Sequence, residues 1–168
     1  VLREENVQLK SELDLQSSLT EYSTMTGTVI SRNPDAWVDQ VIVDRGSMDG
    51  LERGMSVMSK NGLVGRISEV SPTSSKVTLL STTAPSSILT STEIMQEEET
   101  IFGVLTGFDL ERNELVMEQI TSEAAIEIGK EVITSGLGGL VPRGLLVGTI
   151  TEISLDSQGL GQRVYIEP

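Results

Sequence analysis

From Tyr22 onward the chain is a succession of short runs rich in Val, Ile and Thr, cut by Gly, Asn, Asp and Pro. This punctuation constrains the fold more than any other feature. Apolar residues that alternate with polar ones suit a pleated strand with one buried face, and the breaks between runs supply turns. The runs cover 25–31, 39–44, 56–59, 63–70, 76–80, 87–93, 100–106, 115–120, 131–134, 145–153 and 163–166. Residues 47–53, around Asp49-Gly50, read as a turn, and Asn61-Gly62 reads as a type I′ hairpin turn. Residues 121–128 have room for a helical turn. About a dozen short strands with turn signals every 8 to 12 residues describe a sandwich or barrel. A weak internal echo favours two small barrels over one. GMSV followed by GLVGRISEV, starting at Gly54 and Gly62, resembles GKEV followed by GLLVGTITEI, starting at Gly129 and Gly144. Gly65 and Gly148 occupy matching places inside the second runs, where a glycine marks a bulge or sharp bend.

The first twenty residues, VLREENVQLKSELDLQSSLT, follow a different period. Leu2, Asn6, Leu9 and Leu13 are spaced 4, 3 and 4 residues apart, a heptad seam with Asn6 at an a position. From Leu2 to Leu13 such a helix would span roughly 18 Å, too short to be stable without a partner surface. An Asn at a favours a parallel two-stranded register, which makes these four residues candidates for dimerisation. A single helix packing on its own globular domain fits the same spacing. The pattern fails after Leu13, and Ser17, Ser18 and Thr20 are poor helix residues.

Composition then removes whole classes of chemistry. The 168 residues include no His and no Cys. Ser-His-Asp and Cys-His catalysis, disulfides, Fe–S clusters and the usual zinc sites are therefore out of reach, and no cofactor or metal is expected. The net charge of -13 and the absence of a basic cluster oppose nucleic acid. So does the shortage of rings: Tyr22, Trp37, Phe102, Phe108 and Tyr165 are all the chain has. No run of 18 apolar residues and no secretory signal occur, and the start in mid-helix reads as a piece excised from a longer protein.

The remaining motifs favour bland readings. Ser135 to Leu145, SGLGGLVPRGL, is glycine-rich but lacks the Lys-Ser/Thr end of a phosphate loop. It reads as a β-connection that offers Leu137, Leu140 and Val141 as a candidate partner-binding loop. Glu97, Glu98 and Glu99, and separately Asp44, Asp49 and Glu52, lack calcium-loop spacing and read as solvated loops. Ser59-Lys60 and Ser75-Lys76 are adjacent pairs, not the Ser-x-x-Lys spacing. A hydrolase working through carboxylates or a Ser–Lys pair remains the alternative to a binding protein. Trp37 reads as a local core plug.

In combination these residues resemble the MreC family of bacterial rod shape-determining proteins. The resemblance rests on LREENVQLKSEL, then TVISRNPDAWVDQVIVDRGSMDGLERGMSVMSKNGLVGRISEVSPTSSKVTLL, then GKEVITSGLGGLVPRGLLVGTITEI. It implies a mainly β fold: a coiled-coil dimerisation helix over 1–20, a first β-barrel over 21–82 and a second over 83–168. One of the barrels would have a topology related to trypsin-like proteases. Residues 145–168 are left free to return to the first barrel. The resemblance also implies a non-enzymatic scaffold, a homodimer or filament, of the cell-elongation machinery. It would link MreB and MreD to the penicillin-binding proteins that synthesise peptidoglycan. The implied location is the outer face of the cytoplasmic membrane, reached through an N-terminal membrane-spanning helix that this sequence does not contain.

Overall fold

The computed structural model describes residues 4–6, 22–34, 38–83, 89–139, 141–155, 159 and 161–168. Strands form at every run that the punctuation marks out, shifted by a few residues at their ends. They are β1 (Val29–Pro34), β2 (Asp39–Val43), β3 (Ser56–Ser59), β4 (Gly62–Val70), β5 (Ser75–Leu79), β6 (Thr90–Met95), β7 (Thr100–Asp109), β8 (Glu114–Glu118), β9 (Glu131–Thr134), β10 (Leu146–Leu155) and β11 (Gln162–Glu167). The 47–53 turn contains one 3-10 turn, Ser47–Asp49, ended by Gly50 at φ +92°. Residues 121–128 form no helix.

All pairings are antiparallel, and they divide the strands into two sheets. β6 to β11 close into a barrel in the order β10-β11-β8-β7-β6-β9. Its interior is filled by Ile94, Ile101, Leu105, Leu115, Met117, Val132, Val147, Ile150, Val164 and Ile166, each no more than 1% exposed. These branched and flexible aliphatic side chains pack a small barrel without any ring at its centre. The final strands β10 and β11 both belong to this barrel.

The first half departs from the expected barrel. β1 to β5 form a five-stranded sheet in the order β1-β2-β5-β4-β3, and among the described residues its edges β1 and β3 do not pair. The side chains of β1 explain why closure brings little. Val29, Ile30, Ser31, Arg32 and Asn33 are all exposed, so neither face of this edge has an interior to enclose. The sheet's own core is small: Val41, Ile67 and Val77, with Val43, Leu51, Val57, Val70 and Leu79 packed around them.

A second difference concerns Gly62. The hairpin turn is Lys60-Asn61, and Gly62 is already the first residue of β4, paired with Ser59. It sits at φ +134°, where a Cβ would stand 2.6 Å from the Leu146 carbonyl oxygen. The glycine is therefore required by the approach of the barrel and not by the turn. Gly65 and Gly148 each lie at a register shift, of β4 against β3 and of β10 against β9, the bulges that their positions imply. A Cβ at Gly65 would strike the Thr78 carbonyl, and one at Gly148 the Glu167 carbonyl, each on a neighbouring strand.

The two sheets are joined through packing and hydrogen bonds. Leu63 and Leu80 of the first sheet enter the barrel's core cluster. Arg66 Nη2 donates to the Leu89 carbonyl (3.0 Å) and to Thr90 Oγ1 (3.1 Å). Where the chain leaves β5, Ser81 Oγ donates to Asp39 Oδ2 (2.9 Å) and the Asp39 N–H donates to Thr82 Oγ1 (3.0 Å). The irregular segment 22–28 crosses between the two units. Thr28 N–H donates to Asp44 Oδ1 (2.7 Å) and Arg45 Nε to the Thr26 carbonyl (3.1 Å), while Tyr22 Oη donates to the barrel's Arg143 carbonyl (2.8 Å).

Of the proposed dimer helix, residues 4–6 are helical and exposed, which includes Asn6. Leu2, Leu9 and Leu13 lie outside the described residues, as does Trp37. Among the described residues no helix is long and apolar enough to cross a membrane.

Candidate partner-binding surface

The sequence singles out the 135–145 loop, and the structure divides it. Thr134 ties its neck: Thr134 Oγ1 donates to the Pro142 carbonyl (2.5 Å) and accepts the Leu145 N–H (2.9 Å). Gly136, Gly138, Gly139 and Gly144, in the connection from β9 to β10, all have positive φ. Leu137 is 59% exposed at its tip. Val141 is half-buried and packs on the barrel core, so its apolar surface is already used. Leu140 lies outside the described residues.

The Ser–Lys pairs do not meet as dyads. Ser75 is buried and Lys76 exposed, as neighbours on a strand must point to opposite faces. Ser75 Oγ donates to the Arg45 carbonyl (2.7 Å), and Lys76 Nζ lies 2.8 Å from Glu69. Ser59 Oγ accepts the Asn61 N–H (3.3 Å) within the hairpin turn. Two acids of the 44–52 turn are structural as well: Asp49 Oδ2 accepts the Gly46 N–H (3.0 Å), and Asp44 accepts that of Thr28.

A groove that the sequence did not announce opens on the outside of β7, β8 and β11, with a volume of about 400 Å³. Its shape starts from a bulge. The pairing of β7 with β8 shifts between Leu105 and Gly107, and Gly107 leaves the wall without a side chain. Apolar surface comes from Leu110 (68% exposed), Val116 and Tyr165, while Phe108 borders the groove but packs against the barrel core. The polar centre is an ion pair, with Arg163 Nη2 2.6 Å from Glu118 Oε1 and Arg163 Nε donating to the same oxygen (2.8 Å). Thr106 Oγ1 donates to Glu118 Oε2 (2.9 Å), so both carboxylate oxygens are held. The bond to Glu118, with a smaller contribution from Tyr165, raises the Arg163 pKa further above its ordinary value.

Tyr165 is itself fixed from above. The Arg112 guanidinium stacks 4.1 Å from the centre of its ring. Arg112 in turn bonds Glu114 (3.0 Å) and Glu152, which raise its pKa and keep it cationic at any working pH. The turn that presents Arg112 is shaped by Asp109 Oδ1, which accepts the N–H groups of Glu111 (2.9 Å) and Arg112 (3.1 Å). The result is a rigid, shallow site with one apolar wall and one ion-paired wall, suited to another polypeptide surface. Two of the chain's five rings line it, at positions 108 and 165. The scarcity of rings was visible in the sequence, but the meeting of Gly107, Val116 and Tyr165 follows only from the register of β11 on β8 and β8 on β7.

Fold and site together define a β-barrel protein that carries an amphipathic surface groove and in which Ser59, Ser75 and Lys76 serve structural bonds. Residues 29–168 match the family described as rod shape-determining protein MreC, barrel core. The cell shape-determining protein MreC of Listeria monocytogenes is 36% identical over 167 residues, which cover 99% of this chain and 56% of that protein. The chain thus spans about half the length of this relative. Among solved structures, MreC of Listeria monocytogenes superimposes with a TM-score of 0.78 at 35% identity, covering 99% of this chain and 82% of that one. The major periplasmic domain of a cell shape-determining filament MreC gives a TM-score of 0.77 at 28% identity, over 86% of this chain and 88% of that one. A complex of penicillin-binding protein PBP2 with MreC from Helicobacter pylori gives 0.60 at 23% identity, over 86% and 87%, and is a match of fold. The chain belongs to the MreC family of cell shape-determining proteins.

Proposed function

We propose that this chain is the scaffold portion of a cell-elongation complex on the outer face of the cytoplasmic membrane. In this reading it links the MreB and MreD system to the penicillin-binding proteins that build peptidoglycan, and it catalyses nothing itself. The groove of β7, β8 and β11 carries the proposal, because a preformed site with an apolar wall and a fixed ion pair fits a protein partner better than a small substrate. Family membership and the partner in the Helicobacter pylori complex support a penicillin-binding protein as the occupant. The winding of the barrel supports its kinship with trypsin-like proteases: read round the barrel, the strands run β6-β7-β8-β11-β10-β9. Protease chemistry is not part of that kinship here, because a chain without His cannot form the Ser-His-Asp triad.

The groove is tested by titrating the chain with the soluble region of a penicillin-binding protein from the same cell. Leu110→Glu changes an exposed groove residue and is expected to weaken binding about tenfold or more with the fold unchanged. Equal binding by this variant and the parent chain would move the interface elsewhere. Dimerisation through Leu2, Asn6, Leu9 and Leu13 is a separate part of the reading. Charged residues at Leu9 and Leu13 should give a monomer in sedimentation, and unchanged association would remove that role.

A further inference from the structure

Asparagine is chemically labile, because the backbone nitrogen of the next residue can attack its side chain. The asparagines of this chain are Asn6, Asn33, Asn61 and Asn113, followed by Val7, Pro34, Gly62 and Glu114. Pro34 has no N–H to lose, and the side chains of Val7 and Glu114 crowd the approach. Gly62 alone presents an unhindered nitrogen.

The fold forbids a bulkier residue at 62. Gly62 is buried at φ +134°, and a Cβ there would stand 2.6 Å from the Leu146 carbonyl oxygen of β10. Contact with the barrel therefore keeps a reactive dipeptide at the tip of the β3–β4 hairpin. The side chain that reacts lies outside. Asn61 is exposed, and its backbone N–H donates to Ser59 Oγ (3.3 Å), while its side-chain amide has no hydrogen-bond partner among the described residues. Neither Lys60 nor Asn61 has a positive φ, so the turn does not depend on an asparagine. The chain's Asp-Gly pair, Asp49-Gly50, is held differently: Asp49 Oδ2 accepts the Gly46 N–H (3.0 Å), which fixes its carboxylate.

We propose that Asn61 is a covalent modification site, converted to isoaspartate by attack of its own neighbour, with water as the co-reactant. The Gly62 nitrogen leaves its pairing with Ser59 and attacks Asn61 Cγ. A C–N bond forms, the Cγ–Nδ2 bond breaks, and ammonia departs with the proton from the Gly62 nitrogen. Water then opens the cyclic imide. Addition at Cγ gives aspartate; addition at the Asn61 backbone carbonyl carbon gives isoaspartate, whose main chain runs through Cγ. Both products add a negative charge to a chain already at -13, and isoaspartate also inserts a methylene just before Gly62. That lengthening falls where the first sheet meets the barrel, because Gly62 lies against Leu146 and Leu63 is buried in the barrel's core cluster. The modified hairpin holds the sheet to the barrel less tightly. Since the hairpin tip must open before the attack, the rate of conversion follows local opening of this joint. The site stands independently of the groove and of the function proposed above.

The test ages the folded chain at mildly alkaline pH and maps it by peptide mass spectrometry, with isoaspartyl methyltransferase labelling to identify isoaspartate. Asn61 should convert about tenfold or more ahead of Asn6, Asn33 and Asn113, and more slowly than in the urea-unfolded chain. The isoaspartate form, purified by chromatography, should melt about 5 °C or more below the fresh chain. Its Leu80 amide, bonded to the Val64 carbonyl (2.9 Å), should exchange hydrogen faster. Asn61→Gln, at an exposed position without special backbone needs, should keep its Tm and age without these losses. An Asn61 that stays intact in the folded chain while converting in urea would overturn the site. Conversion of Asn113 as fast as Asn61 would overturn the role given to Gly62, and the proposal with it. An isoaspartate form with unchanged Tm and unchanged exchange at Leu80 would overturn the loosening of the joint.

Discussion

Gly62 of β4 lies so close to Leu146 of β10 that a Cβ on the glycine would stand 2.6 Å from the leucine's carbonyl oxygen. With Leu63 and Leu80 buried in the barrel's core cluster, this contact makes the first sheet a part of the barrel's packing. Gly62→Ala must absorb both the collision and a φ of +134°, and is expected to cost about 2–3 kcal/mol. That corresponds to a fall in Tm of roughly 4–10 °C for a chain of this size. Gly129→Ala has a φ of +88° but open space around it, so only the backbone cost of about 1 kcal/mol applies. Thermal melts of the two variants separate the terms. Equal losses would mean that the Gly62–Leu146 approach does not hold the two sheets together.

The link at Asp39 has a pH signature. Arg32, hydrogen-bonded to it at 2.8 and 3.3 Å, holds the Asp39 carboxyl below its ordinary value; burial acts the other way, and Ser81 adds to the lowering. A carboxyl depressed in the folded state adds stability that is fully present above its unfolded pKa of about 3.9. That contribution is lost as pH falls through the lower folded value. The stability difference between the parent chain and Asp39→Asn should therefore stay constant from neutral pH to about 5 and shrink below about 4. Urea unfolding at a series of pH values reads it directly. A difference that grows on acidification would contradict the assigned partner.

Arg143 and Glu93 form a pair in which one member is 64% exposed and the other 1%. Arg143→Leu strands the buried carboxylate and is expected to cost about 2–3 kcal/mol, at the low end for a broken buried pair because water reaches the arginine side. Replacing both residues with Leu removes the buried charge as well, and should recover most of that loss. The double-mutant cycle is measured by chemical denaturation. A double variant no more stable than Arg143→Leu would show that the site penalises something other than the orphaned carboxylate.

The alternating Val, Ile and Thr runs made the strands legible, because period-2 burial and glycine breaks are local properties. Gly65 and Gly148 were legible for the same reason. Closure was not: whether β1 meets β3 depends on the exposure of Val29 and Ile30, which no spacing encodes. Gly62 was assigned to the wrong task because Asn-Gly is a strong turn signal and Leu146 lies 84 residues away in sequence. The groove was illegible for a similar reason. Gly107 and Tyr165 are joined only through β8, both of them opposite Val116. Of the apolar loop residues, Leu137 kept the exposure expected of it, whereas Val141 was taken up by the core.

Gly107 offers a way to close the groove without disturbing the fold. It lies at the β7 bulge among the groove-lining residues, and a Cβ there would meet nothing within 4 Å. Its φ is outside the left-handed region, so a β-branched residue suits the strand. Gly107→Val should leave Tm unchanged or raise it slightly, since the unfolded chain loses freedom and no native contact is strained. The new side chain nonetheless stands in the groove on the side of Val116 and Tyr165. Binding of a penicillin-binding protein at this site should fall about tenfold or more. Isothermal titration with the synthase measures the loss. A stable Gly107→Val chain that binds the synthase normally would exclude the groove as its docking site.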